Sequence, residues 1–388
     1  MRQQILSITL LSASFFAFGL TACNSDDPNV EPTVQLRKTI DYATLKDTVT
    51  YANAFVDGKG AKTVDLTNGS NRLLMFRAIN TYNTTAVSTL TPVDATVLKN
   101  MFANSSGPFS GTFAALNSAG VQLRTVTASS VADAEKERQA IEAGFTEMAN
   151  ASKSVSMTAA EGKAGKLGTY LVDAKGIEWA QIIQKNLIGA FQLDYIGNVL
   201  LSDKNLSLDN TTLVAGKNYT QLEQNWDEIF GILTANPVYG GKATATSSGE
   251  SFMGSYIWEF NKEGFAKIHP ALLKGRAAIV NNDAATLKAQ ATLIRQEMEK
   301  AVAASALGYM TKWKTNATND AARAHVFAEG MGFIYSLRFA TLAGGDAAFS
   351  EGILTPLVYS APNGFWGLTN AKIDAASAAI RTKFTITN

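Results

Sequence analysis

Apolar positions recur at helical spacing along most of this chain. In "SVADAEKERQAIEAGFTEM", Ala134, Ile141, Phe145 and Met148 share one face, and Ser130-x-x-Asp133 ahead of them reads as a capping pattern. "NYTQLEQNWDEIFGILTANP" carries the stripe Leu222, Trp226, Ile229, Phe230 and Leu233. It predicts a helix capped at Asn218 and stopped before Pro237. A longer pattern runs from Asp283 to Trp313 through Leu287, Ala291, Ile294, Met298 and Val302. Arg295 and Glu299 lie off that stripe and are expected on a solvated face. Residues 173–201 are apolar nearly all round, the mark of a central helix. Helices over 319–342 and in "NAKIDAASAAIRTKF" complete the set.

Two segments break the helical rhythm. Residues 236–251 are rich in Gly, Ser and Thr and too long for a simple connection, which marks a lid, a binding loop or a spacer. Residues 355–369 mix Pro, Gly and aromatics. Near the N-terminus, residues 40–66 alternate enough to allow a short strand or two. The eight prolines and the lack of repeated Val/Ile/Thr runs argue against a β domain. The expected fold is all-α, a multi-helix bundle over 37–388, either one body or two packed bundles divided near 236–251. A weak internal echo between "EWAQIIQKNLIGAF" and "HVFAEGMGFIYSLRF" would fit a duplication.

The first residues follow a different pattern. Arg2 precedes an apolar run, Ile5–Leu20, shorter than the roughly 20 residues of a membrane span. "LTAC" then reads as a lipobox, with small Thr21 and Ala22 before Cys23, the single cysteine of the chain. Residues 1–22 are therefore expected to be a lipoprotein signal peptide, and Cys23 the lipidated residue. Residues 23–36, polar and Pro-containing, are expected to form a flexible tether. Acyl chains contribute about 0.8 kcal/mol per buried CH₂, enough in combination for firm anchoring to a membrane. Asn24, where an Asp would favour retention in the inner membrane, points to the outer membrane.

Composition adds mainly exclusions. The chain has 388 residues, 17% of them charged, and a formal net charge of +1, which gives no electrostatic footprint for nucleic acid. There is no His-Glu-x-x-His, Gly-x-Ser-x-Gly, Walker loop or Gly-x-Gly-x-x-Gly. No catalytic residue is assigned.

Candidate chemistry centres on one of the two histidines. On a helical wheel His325, Glu329, Gly332 and Ser336 fall within about 60°, a polar, small-residue seam on an otherwise apolar helix. Either a neighbouring helix approaches closely along the seam, or imidazole and carboxylate share a metal ion. Iron, manganese or calcium would demand fewer histidines than zinc. Glu223 and Asp227 stand four apart, either as a solvated acidic edge or as a carboxylate ligand set. Glu178 heads the central helix, where the macrodipole alone favours an acid. His269 before Pro270 reads as a helix N-cap. The ligand-site candidates are therefore His325, Glu329, Glu178 and Asp227, and a metal ion, iron foremost, is the cofactor left open.

The lipobox together with "EWAQIIQKNLIGAFQ", "QNWDEIFG", "KGRAAI" and "HVFAEGMGFIYSLRF", in this order, resembles a family of outer-membrane lipoproteins labelled "domain of unknown function 4856". The resemblance covers most of the mature chain and implies no established activity. It implies association with imelysin-like proteins and TonB-dependent receptors, hence a part in envelope iron or other nutrient uptake. Imelysin-like proteins carry a His-x-x-Glu pair; here His325 and Glu329 are one residue further apart, which rotates the carboxylate by about 100°. That chemistry is not carried over. The expectation is a lipid-anchored, non-enzymatic binding or accessory protein of metal or nutrient uptake. The alternatives are a metal-dependent hydrolase with Glu329 as base, and a purely structural envelope lipoprotein.

Overall fold

The computed structural model describes residues 37–360, 362 and 364–386. The leader over 1–22, the lipidation site at Cys23 and the tether over 23–36 lie outside the described residues. The architecture is all-α. In chain order the helices are α1 (Thr67–Thr89), α2 (Ala95–Ala103), α3 (Ala134–Ser152), α4 (Trp179–Leu187) and the one-turn α5 (Asp203–Leu206). They continue with α6 (Gln221–Leu233), α7 (Met253–Phe260), α8 (Lys262–Val280) and α9 (Ala284–Thr315). The last are α10 (Asp320–Ser336), α11 (Ala347–Leu354) and α12 (Asn370–Phe384). Among the described residues, no helix is long and apolar enough to cross a membrane.

The long α9 is the spine, packed against α8, α10, α7 and α12. Helix α10 lies between α9 and α4, and α3 covers α4 from the other side. Helices α1 and α6 pair with each other, and α6 continues onto α8. The described residues form one compact unit around a continuous apolar core. The loop over 236–251 is closed on itself by Glu250, whose carboxylate accepts from Thr234 Oγ1 at 2.6 Å and from the Gly240 amide at 2.9 Å.

Several local expectations are corrected. The strands are not near the N-terminus: β1 (Gly165–Leu167) and β2 (Tyr170–Val172) form a hairpin whose turn begins with Gly168 at φ +62°. Residues 40–66 hold short 3₁₀ turns that insert Tyr51 and Phe55 into the core, and their extended pairing is limited to one antiparallel bridge, Val56 with Lys62. The segment 173–201 is not one regular helix. Asp173 accepts from the Lys175 and Ile177 amides and from the Trp179 indole, holding a loop ahead of α4. Beyond Leu187 the chain widens into π turns over Ile188–Leu200.

Caps moved as well. Thr220, not Asn218, caps α6, and Glu223 reaches back to the Thr220 amide in a full capping box. Ser130 does not cap α3 but binds Asp194. His269 and Pro270 lie inside α8, whose cap is Asn261; His269 bridges the Val49 carbonyl and the Tyr239 amide. Glu299 is buried rather than solvated, because its carboxylate accepts from the amides of Leu342 and Ala343.

Candidate functional site

The seam on α10 faces α4. A Cβ added at Gly332 would stand 2.5 Å from Lys185 Cβ, and one added at Gly189 would land inside Ser336. Ser336 Oγ donates to the Lys185 carbonyl at 2.8 Å. The small residues thus permit close approach, and the larger polar ones are buried by it.

At the N-terminal end of this interface Glu178, His325, Glu329 and Lys185 form a chain of charges. His325 Nδ1 lies 2.6 Å from Glu178 Oε2; a carboxylate only accepts, so that nitrogen carries the proton. His325 Nε2 is 3.7 Å from Glu329 Oε2, and Glu329 Oε1 is 2.7 Å from the Lys185 ammonium. Tyr256 donates its hydroxyl to Glu329 Oε1 at 3.1 Å. The imidazole stacks on Tyr170 of β2 with ring centroids 4.1 Å apart, which fixes its plane.

Electrostatics follow from burial and pairing. Burial alone would lower the His325 pKa, but the hydrogen bond and charge of Glu178, aided by Glu329, outweigh it and raise the value above 6.5. Burial would raise Glu329, yet the Lys185 ammonium holds it below the usual carboxylate range. Lys185 itself, 1% exposed, is lowered by desolvation against the pull of Glu329. With His325 protonated, the two carboxylates and two cations balance.

The arrangement does not fit a metal centre. Glu178 and Glu329 face opposite nitrogens of one imidazole, so the three cannot converge on one ion. Lys185 already supplies the cation beside Glu329. Among the described residues, no group of three His, Cys, Asp or Glu side chains could hold a metal ion.

Asp227 belongs to a different cluster. Arg276 donates its Nε to Asp227 Oδ1 at 2.8 Å and a terminal nitrogen to Glu223 Oε1 at 2.7 Å. Tyr51 donates to Asp227 at 2.8 Å, and the Thr220 amide to Glu223 at 2.6 Å. All three charged side chains are 0% exposed, so the acidic edge is neither solvated nor a ligand set. Burial pushes Asp227 up to about 6, opposed by Arg276. Arg276 is raised: burial lowers it, but the two carboxylates outweigh that.

A cavity of about 180 Å³ runs along α4, between α3, α4, α10 and α11. Its charged wall is Arg338, which donates to both oxygens of Glu137 at 2.8 and 3.0 Å and to Glu351 at 2.6 Å. Tyr335 donates to Glu137 at 2.5 Å and lies under the guanidinium, 4.0 Å from its ring centroid. Trp179 and Tyr359 supply aromatic surface, and Asn186 borders the cavity while its Oδ1, buried and without a hydrogen-bond partner, lies on the Gly332 side.

Of the sequence candidates, His325, Glu329 and Glu178 come together, and Asp227 shares no partner with them. Sequence reasoning missed Lys185, Asn186 and Arg338. Lys185 and Asn186 stand together in the polar run Gln184-Lys185-Asn186, and Arg338 stands just past α10 between Leu337 and Phe339.

A family model described as domain of unknown function (DUF4856) matches residues 51–387. No curated protein and no solved structure matches the chain. Because the family match spans most of the sequence and includes every residue of both ionic clusters and of the cavity, the chain belongs to the family described as domain of unknown function (DUF4856).

Proposed function

We propose that this protein is a lipid-anchored outer-membrane component that binds a small ligand without catalysis, as an accessory to iron or other nutrient uptake. The observation that carries the binding reading is the cavity beside α4 and α10, with its charged and aromatic wall. A concave space lined by aromatic surface and a few polar side chains is the usual form of a small-molecule site. The leader and "LTAC" support the anchor, and the family resemblance supports association with a TonB-dependent receptor or an imelysin-like protein.

The hydrolase alternative needs Glu329 free to take a proton. Its Oε1 is held by Lys185 and Tyr256, and its pKa lies below the usual range, which makes a poor base at neutral pH. Among the described residues a bare metal ion finds no converging ligand set, so the cargo favoured is an organic molecule or a metal complex.

Labelling cells with tritiated palmitate tests the anchor: the intact chain takes up label and Cys23→Ala does not. Equal labelling of both removes the anchor. Calorimetric titration of the purified chain with small metabolites, and with iron, copper, zinc and calcium salts, tests binding. Silence toward all of them leaves the purely structural reading.

A further inference from the structure

We propose that the cavity takes a small aromatic monocarboxylate of benzoate size, an inference that rests on the binding reading above. Size and lining come first. A cavity of about 150 Å³ accommodates one benzene ring, so the 180 Å³ here holds a single six-membered ring with one small substituent. Ile182, Met331 and Leu354, with the rings of Trp179 and Tyr359, give that ring apolar and aromatic walls. The Trp179 indole is pinned by Asp173 at 2.8 Å, so little order is lost when a ring packs on it.

Arg338 sets the substituent. Its guanidinium carries five N–H donors. Nε donates to the Tyr335 carbonyl at 3.1 Å, and Nη1 spans both oxygens of Glu137 at 2.8 and 3.0 Å. Nη2 donates to Glu351 at 2.6 Å, which leaves its second hydrogen without an acceptor among the described residues. The two carboxylates on Arg338 are not equivalent. Glu137 is buried and also accepts from the Tyr335 hydroxyl, so withdrawing its cation would strand a charge. The Glu351 side chain is 49% exposed and turns to water at little cost, because a half-exposed ion pair contributes little. A guest carboxylate takes its place on Nη2 in a charge-assisted pair, and the buried Glu137 pairing stays intact.

Charge around the cavity agrees. Lys136 is an exposed lining residue and forms no ion pair among the described residues. With Glu351 turned outward, Arg338, Lys136 and Glu137 leave a net positive charge that a single carboxylate neutralises. A cationic guest meets Arg338 and Lys136 instead. A neutral polar guest displaces Glu351 without replacing its charge.

The test is calorimetry and tryptophan fluorescence on the purified full-length chain in detergent. Benzoate, benzamide and benzamidine are near-isosteric rings with negative, neutral and positive groups, and acetate is the carboxylate without the ring. Benzoate should bind and perturb the fluorescence, more tightly than benzamide, with benzamidine and acetate weaker still. Lys136→Ala should weaken benzoate about two- to five-fold, the size of one exposed ion pair. Glu351→Gln removes the resident competitor and should strengthen benzoate by about the same factor. Both side chains reach solvent, so the fold tolerates either change. Benzamide or benzamidine binding as tightly as benzoate overturns the anionic class and leaves the binding reading standing. Benzoate binding that Glu351→Gln does not strengthen, or that Lys136→Ala does not weaken, overturns the exchange at Arg338. Silence toward benzoate overturns this proposal, and the wider titration above then decides the binding reading separately.

Discussion

Replacing Arg276 with methionine removes the one cation that touches both Glu223 and Asp227. The three side chains are fully buried, and the remaining cation near Glu223 is Arg37, 3.6 Å away and partly exposed. Truncating one member of a buried ion pair costs about 3–5 kcal/mol, because the partner stays buried and uncompensated. Against a total stability of about 5–15 kcal/mol this is a large fraction. With an m-value of about 3 kcal/mol per M, the urea midpoint should fall by about 1–2 M. The pH dependence separates lost charge from lost packing. Asp227 stands at about 6 with Arg276 beside it, and without that cation it rises further. The native variant then holds a proton that the unfolded chain releases above about pH 4, so its stability improves as pH falls. The deficit should be larger at about pH 8 than at about pH 5.5. Urea denaturation followed by intrinsic fluorescence at both values is the assay. A deficit below about 1 kcal/mol, or one equal at both pH values, refutes the reasoning. The triple change Glu223→Gln, Asp227→Asn, Arg276→Met should regain most of the loss, since neutral replacements of buried ions are often harmless.

Three further outcomes are expected. Gly332→Ala should destabilise by about 1–3 kcal/mol through the clash with Lys185 Cβ, although the helix propensity of alanine alone would add about 1 kcal/mol; a stabilised variant in urea denaturation contradicts the close approach. His325→Gln should flatten the pH profile of the melting temperature. The native imidazole titrates above 6.5, so its contribution is fully present below that value and is lost as pH rises through the raised native value; a variant that keeps the wild-type decline across that window contradicts the assignment. Lys185→Met should cost about 3–5 kcal/mol by stranding Glu329, and chemical denaturation showing less than about 1 kcal/mol would mean that Glu329 finds other compensation.

The seam on α10 was legible because a helix maps sequence onto faces at a fixed angle. His325, Glu329, Gly332 and Ser336 needed nothing more. Their partners were harder: Glu178 lies 147 residues from His325, and no local pattern encodes that separation. Lys185 and Arg276 escaped because a charge on a helix is read as solvated by default, whereas here each is buried against a carboxylate. The hairpin at 165–172 escaped because three-residue strands are too short to show a period of two. The π turns over Ile188–Leu200 widen a helix without changing its apolar character, so composition carries no trace of them.

The two stretches that echoed each other in the sequence turn out to be the two walls of one interface, α4 against α10. Each buries polar residues, but on different faces of α4: Lys185 meets Glu329, while its neighbour Asn186 borders the cavity. Around Lys185 and Glu329 ammonium and carboxylate meet at 2.7 Å and the Tyr256 hydroxyl adds a bond at 3.1 Å, so this part of the interface stabilises its own fold. The histidine and glutamate that draw the eye in the sequence therefore serve to hold α4 and α10 together. The space open to a ligand lies along another face of α4, between Trp179, Asn186, Tyr335 and, just past the end of α10, Arg338.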